Sequence, residues 1–269
     1  MSKLLIGATY IFFLLIIVLP LGYVGYAAFG QGWSGFIEAM TRREALHAFQ
    51  VSFSIAAIVV VLNVFFGVFL ALELVRGKWL ARKLKPILNA IADLPFAVSP
   101  VIGGLMILLL FGPETVLGAF FGNLGVKVVF ALPGMILATL FVTFPFVVRE
   151  VAPVLEEIGE EAEEASRILG ASPATTFWKV TLPGIRWSVI YGMILTVARS
   201  LGEFGAVLIV SGNIMNETQT ATTLVYQDAG NFDMVSANSA ALLLGLVSVA
   251  ILLALEWVKQ RRERQENGH

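Results

Sequence analysis

The chain of 269 residues has no cysteine, only two histidines (His47 and His269), and charged side chains at just 14% of positions. Without cysteine there is no disulfide framework, iron–sulfur cluster or thiol nucleophile, and two isolated histidines cannot build a multi-histidine metal site. The Gly-x-x-x-x-Gly-Lys-Ser/Thr loop that cradles nucleotide phosphates is also missing. Most redox, zinc and direct ATP chemistry is thereby excluded. What fills the chain is apolar, 58% of all residues, against about 45–50% in soluble proteins, which carry about 25% charge. So large an excess must face lipid, and a soluble domain is excluded.

A helix needs about 20 apolar residues to span the hydrocarbon of a bilayer. Six stretches meet or nearly meet that length: 4–29, 51–75, 86–112, 128–148, 188–211 and 235–258. The first follows Lys3 as a secretory signal would, but its apolar run is too long and has no convincing cleavage site, so it reads as retained. One set of connections holds Lys3, then Arg76, Lys78, Arg82, Lys83 and Lys85, then Arg149, Arg167, Lys179 and Arg186, then Lys259, Arg261, Arg262 and Arg264. The other holds only Arg42, Arg43 and Lys127. Basic residues near span ends stay inside, which predicts both termini in the cytoplasm and makes the tail 258–269 a topology anchor, not a nucleic-acid patch.

The inner connection 149–187 is too long for a simple loop. It carries Glu150, Glu156, Glu157, Glu160, Glu161, Glu163 and Glu164, while Val151, Val154, Leu155, Ile158, Ala162, Ala165 and Leu169 recur at three- and four-residue steps. That spacing predicts one amphipathic helix with the glutamates opposite its apolar stripe. Gly170 is suited to end the helix, and Ser172 followed by Pro173 matches an N-cap with proline in the first turn. A second helix over 174–180, stopping near Pro183, completes a helix–elbow–helix.

Glu164-Ala165-Ser166, then Gly170, then Val180-Thr181-Leu182-Pro183 resembles the EAA loop of ABC-importer permeases. That pattern is Glu-Ala-Ala, three residues, glycine, nine residues, isoleucine, any residue, Leu-Pro. The departures are Ser166 for the second alanine and Val180 for isoleucine. The run Asp93-Leu94-Pro95-Phe96-Ala97-Val98-Ser99-Pro100 is similar to the third-span signature of sulfate/thiosulfate permeases. Arg199-Ser200-Leu201-Gly202-Glu203-Phe204-Gly205-Ala206 is similar to a run that sulfate and molybdate permeases share. The likeness covers roughly 48–257, and the Phe-Ala-Val-Ser-Pro form resembles the second, W-type sulfate permease subunit.

This resemblance implies an all-α integral membrane protein of the type I, MetI-like fold: six transmembrane helices and a cytoplasmic coupling helix between the fourth and fifth spans. It implies a first span with an external segment over 1–47, a permease domain over 48–257 with its EAA loop at 150–187, and the basic tail. It places ATPase coupling at Glu164, Ala165, Leu169, Gly170, Ala171, Ser172, Pro173 and Phe177. The implied assembly, in the cell inner membrane, has two ATP-binding subunits, a second homologous permease subunit and an external or periplasmic sulfate/thiosulfate-binding protein. ATP and magnesium sit at the partner ATPase, and this chain holds no cofactor, metal or nucleic acid.

The residues add a partial mechanism. Asp93 and Ser99 stand just ahead of Pro95 and Pro100, so each is placed to cap a helix restarted after a break, and broken helices at membrane depth line cavities. Arg199 and Glu203, four residues apart, are costly in a span unless paired, and pairing leaves the arginine little charge to offer a dianion. An alternative has Arg199 released toward substrate while Asp93 takes another partner. Three rival readings stand beside sulfate import: a homodimeric molybdate/tungstate permease, a proton-coupled carrier using Asp93 and Glu203, and an intramembrane enzyme. The last has no catalytic cluster to support it.

Overall fold

In a computed structural model, residues 2–77 and 79–267 are described, with side chains for 5–77 and 84–260. Lys78 and His269 lie outside the described residues, and Lys3, Arg82, Lys83, Arg261, Arg262 and Arg264 lie outside the described side chains. Among the described residues every regular element is a helix. Five are long and apolar enough to cross a membrane: α1 (Leu5–Ala28), α3 (Arg43–Arg76), α7 (Leu132–Ile158), α9 (Pro173–Leu201) and α12, whose apolar part is Met234–Gln260. A sixth candidate crossing is a broken pair, Leu84–Ala97 of α4 (Trp79–Ala97) and α5 (Pro100–Phe111), bent by 111°. Short helices connect them: α2 (Gly32–Thr41), α6 (Val116–Asn123), α8 (Glu161–Ile168), α10 (Gly205–Ser211) and α11 (Ala221–Gly230). Each of the six predicted spans has its counterpart, as the apolar runs require.

Three local expectations are corrected. The third span breaks once, at Val98–Ser99, while Pro86 and Pro95 both lie inside α4, so Asp93 caps nothing. Ser99 takes the extended backbone expected before proline, φ −58° and ψ 138°, and α5 starts at Pro100. Second, Pro183 does not stop a helix. The π turn Phe177–Thr181 precedes it, with the Leu182 N–H donating to the Phe177 carbonyl, and this wider turn carries the backbone through the proline into the span. The fifth span then ends at Leu201 instead of running to Ser211, and α10 restarts at Gly205.

Third, the stripe 151–169 is not one helix. Gly159, at φ +65°, ends α7 and resets the helical phase. Val151 and Leu155 are buried, but Ala162 and Ala165 on α8 and Leu169 just after it are exposed, and Glu163 is the residue that turns inward.

The chain forms two compact units. In the unit 53–212 with 250–269, Val68, Ala71, Val147, Val151, Leu155, Ile185 and Val189 make a common core for α3, α7 and α9. Backbones approach closely there: a Cβ on Gly67 or Gly192 would lie 2.8 or 2.9 Å from Val147. Small residues drive such packing in lipid, where apolar burial alone gives no preference for protein neighbours. Between α3 and α7, the buried Asn63 amide donates to the Thr143 hydroxyl at 2.7 Å, a bond that hydrocarbon could not supply.

In the unit 1–52 with 213–249, Ala45, Ala48, Phe49, Ala221, Leu224 and Ala240 form the core. Arg42 braces it by pairing with Asp228 at 2.8 Å and Asp233 at 3.3 Å. Burial pushes the Asp228 carboxyl above its ordinary 3.8, against the pull of Arg42. Burial pushes Asp233 up as well, but hydrogen bonds from Ser236 and the charge of Arg42 outweigh it and hold that carboxyl below 3.8. The two therefore act on stability with opposite sign. Asp233 contributes stability above pH 3.8 that is lost as pH falls through its lowered value. Asp228 costs stability as pH rises from 3.8 through its raised value. Thermal unfolding of the purified protein is expected to show Asp233→Asn below wild type at neutral pH and Asp228→Asn at or above it. The Asp228 difference disappears as the pH falls toward 3.8, and the Asp233 difference shrinks as it falls further, below 3.8.

Candidate functional site

The elbow is built by local cap chemistry. Beyond α8, Gly170 adopts φ +82°, and its N–H donates to the Arg167 carbonyl at 3.0 Å while the Ala171 N–H donates to that of Ser166 at 3.1 Å. These bonds satisfy carbonyls that a helix end leaves open. The Ser172 hydroxyl accepts the Thr175 N–H at 3.2 Å, and Pro173 opens α9. The Ser166 and Thr176 hydroxyls meet at 3.1 Å and tie the two arms together.

Around this turn Ile168 is 86% exposed, Leu169 87% and Trp178 65%, and a Cβ on Gly170 would touch nothing within 4 Å. Such an apolar knuckle is out of place in water and suits a protein groove. Of the residues the sequence singles out, Glu164, Ala165, Leu169, Gly170, Ser172 and Pro173 are exposed and Ala171 half-buried. Phe177 instead packs against the core of its own unit. Ile168 was missed because the phase of α8 is set by Gly159, not by the stripe that precedes it; Trp178, in the π turn 177–181, falls outside the motif the sequence offers.

On the inner side of the elbow, Glu163 accepts the Thr181 hydroxyl at 2.8 Å and lies 3.4 Å from Arg76 Nε. Arg76 Nη2 donates to the carbonyl of Leu155 at 2.8 Å and to that of Gly159. The cation thereby serves the open C-terminal carbonyls of α7.

The second candidate region is where two spans break. A Cβ on Gly104 would lie 2.5 Å from the Ala206 carbonyl, and one on Gly205 3.0 Å from Val101 Cγ2, so α5 and α10 pack with their starts adjacent. Glu203, fully buried, accepts the Ala206 N–H at 2.8 Å through Oε1 and pairs with Arg199 at 2.9 Å through Oε2. It therefore does for α10 what Ser99, which makes no side-chain cap bond, does not do for α5. One third of the Arg199 side chain is exposed.

Asp93 is drawn elsewhere. Arg149 donates to it from both Nε, at 2.7 Å, and Nη2, a bidentate pair between α4 and α7. Sequence reasoning counted Arg149 only as a topology charge, although an acid inside an apolar span always demands a cation. The apolar hollow inside the α4–α5 bend, about 380 Å³ and lined by residues such as Leu94, Met106 and Phe141, offers an anion no partner. This region thus combines two interrupted helices, a neutralised charge pair and a serine hydroxyl.

A family model described as "binding-protein-dependent transport system inner membrane component" matches residues 63–264. The chain belongs to this family. It is a multi-pass membrane protein, the permease component of such a system. It is 45% identical over 258 residues to the sulfate transport system permease protein CysW of Synechocystis sp., an alignment spanning 96% of this chain and 92% of the relative. To CysW of Synechococcus elongatus it is 44% identical over 265 residues, 98% and 92% of the two chains. Among solved structures, a chain of a bacterial alginate ABC transporter, crystallised with an alginate-bound periplasmic protein, superposes with a TM-score of 0.78 over 97% of this permease and 94% of that chain. At 17% identity that likeness establishes the permease fold alone.

Proposed function

We propose that the permease is the W-type membrane subunit of an ATP-driven importer of sulfate or thiosulfate. The observation that carries this reading is identity above 40% along almost the whole length of relatives named sulfate transport system permease protein CysW. The exposed knuckle at Ile168–Leu169–Gly170 supports the coupling role. In this reading the chain works beside a homologous second permease, two ATP-binding subunits that hold ATP and magnesium, and an external binding protein that supplies affinity. It catalyses no reaction itself. Both termini and the elbow lie in the cytoplasm, on the side where most lysines and arginines fall.

The geometry gives the coupling a path. From Pro173 to Leu201 the backbone is one helical run of 29 residues, roughly 40 Å long at helical rise. A push on the knuckle is therefore delivered along α9 to Arg199, at the edge of the two breaks. Pairing of Arg199 with Glu203 keeps the intramembrane field nearly neutral, so a dianion passes without being trapped.

Proteoliposomes containing both permeases, the ATPase subunits and the binding protein test this reading. Uptake of labelled sulfate that requires ATP inside, and that excess thiosulfate suppresses more than excess molybdate, is the expected result. Uptake that survives removal of the ATPase subunits would contradict it in favour of a carrier.

A further inference from the structure

Two adjacent glutamates on α8 face opposite ways. Glu164 is exposed, whereas Glu163 is only 7% exposed although its neighbours Ala162 and Ala165 are exposed. Burying a carboxylate is costly unless its charge and lone pairs are matched. Here Arg76, from the last turn of α3, matches the charge as an ion pair at 3.4 Å, and the Thr181 hydroxyl, from the π turn of α9, donates a hydrogen bond to Oε1. Arg167 adds a looser contact at 3.9 Å. Since Arg76 also holds the Leu155 and Gly159 carbonyls, one buried pair joins the ends of α3 and α7 to the elbow and to the root of α9.

We propose that Glu163 is a positioning residue: its carboxylate clamps the elbow onto Arg76, so that elbow displacement moves α3 together with α9. This inference rests on the importer reading above. A knuckle joined to the membrane body only through α9 would dissipate part of its motion by bending at the π turn. The clamp bridges that weak point from the other side, because Thr181 ends the π turn and Arg76 ends α3. Glu164, facing outward, has no share in this and remains available to a docked partner.

The test uses the complete reconstituted transporter and three readouts: co-purification of the ATPase subunits, ATP hydrolysis and sulfate uptake. Glu163→Gln alone leaves Arg76 without its buried counter-charge, so the informative variant is Glu163→Gln with Arg76→Gln, which removes both charges. That variant is expected to retain its ATPase subunits and to hydrolyse ATP within about twofold of wild type. Its uptake per ATP is expected to fall by about tenfold. A wild-type ratio overturns the clamp, and so does loss of ATPase binding in parallel with uptake, which would make the pair a scaffold for docking. Should the double variant not assemble, Thr181→Val decides. It keeps both charges and removes one hydrogen bond, and it must still lower uptake per ATP, by about threefold; an unchanged ratio overturns the proposal. Failure of the wild-type chain to retain any ATPase subunit would instead sink the importer reading.

Discussion

If the elbow couples an ATPase to transport, replacing Gly170 by valine is expected to cut coupled uptake severely while the protein still inserts in the membrane and the ATPase subunits still hydrolyse ATP. The backbone at 170 sits at φ +82°, with no atom within 4 Å of where a Cβ would be. The penalty is therefore conformational and not a clash. A left-handed residue other than glycine costs about 1–2 kcal/mol, and β-branching raises that further. The turn relieves the strain by abandoning the bonds from Gly170 and Ala171 back to α8, which shifts Leu169 and the start of α9 relative to each other. The expected order of uptake is Gly170→Asn above Gly170→Ala above Gly170→Val, because asparagine tolerates the left-handed region best of the three. Uptake by the valine variant is expected at less than about a tenth of wild type, the equivalent of losing 1.4 kcal/mol or more of coupling. Equal uptake in all three would remove the elbow from the mechanism.

Arg199→Gln is expected to do comparable damage by a different route. Glu203 is fully buried and Arg199 only two thirds so. Removing the arginine strips the ion partner from a carboxylate inside the bundle, and breaking a buried pair costs about 3–5 kcal/mol. The loss appears first as a reduced yield of assembled transporter. Glu203→Gln is the milder change: its amide oxygen can still accept the Ala206 N–H at the start of α10, and Arg199 keeps access to water. Arg199→Lys, which preserves the charge, is expected to assemble. Uptake per assembled complex then separates the two roles open to the arginine. Wild-type uptake in both Arg199→Lys and Arg199→Gln would leave no role for Arg199 in transport.

The sequence displays its membrane crossings openly, because lipid forces each to be a long apolar run with basic residues at one set of ends. The elbow is legible for another reason. Gly170, Ser172 and Pro173 act on their own backbone neighbours, so their effect needs no knowledge of the rest of the fold. What stays hidden depends on partners distant in the chain. Asp93 finds Arg149 56 positions away, and Arg76 reaches carbonyls 79 and 83 positions away. Spacing that presumes an unbroken helix also misleads. Arg199 and Glu203 do pair, yet Glu203 lies beyond the end of α9 and also accepts the Ala206 N–H in the first turn of α10, which no i,i+4 rule describes. Glu163 was grouped with its exposed neighbours because the stripe was extended across Gly159, where the phase changes.

The absence of cysteine makes the central claim directly testable, since an introduced thiol is the only one in the chain. Leu169→Cys, 87% exposed on the knuckle, is treated with a short thiol-to-amine cross-linker in the assembled transporter. Phe65→Cys, 69% exposed on α3 within its spanning segment, serves as the comparison. The account predicts a covalent product of permease and ATPase subunit from position 169 and none from position 65. No such product at 169, or equal products at both, would contradict the assignment of this elbow as the seat of the motor.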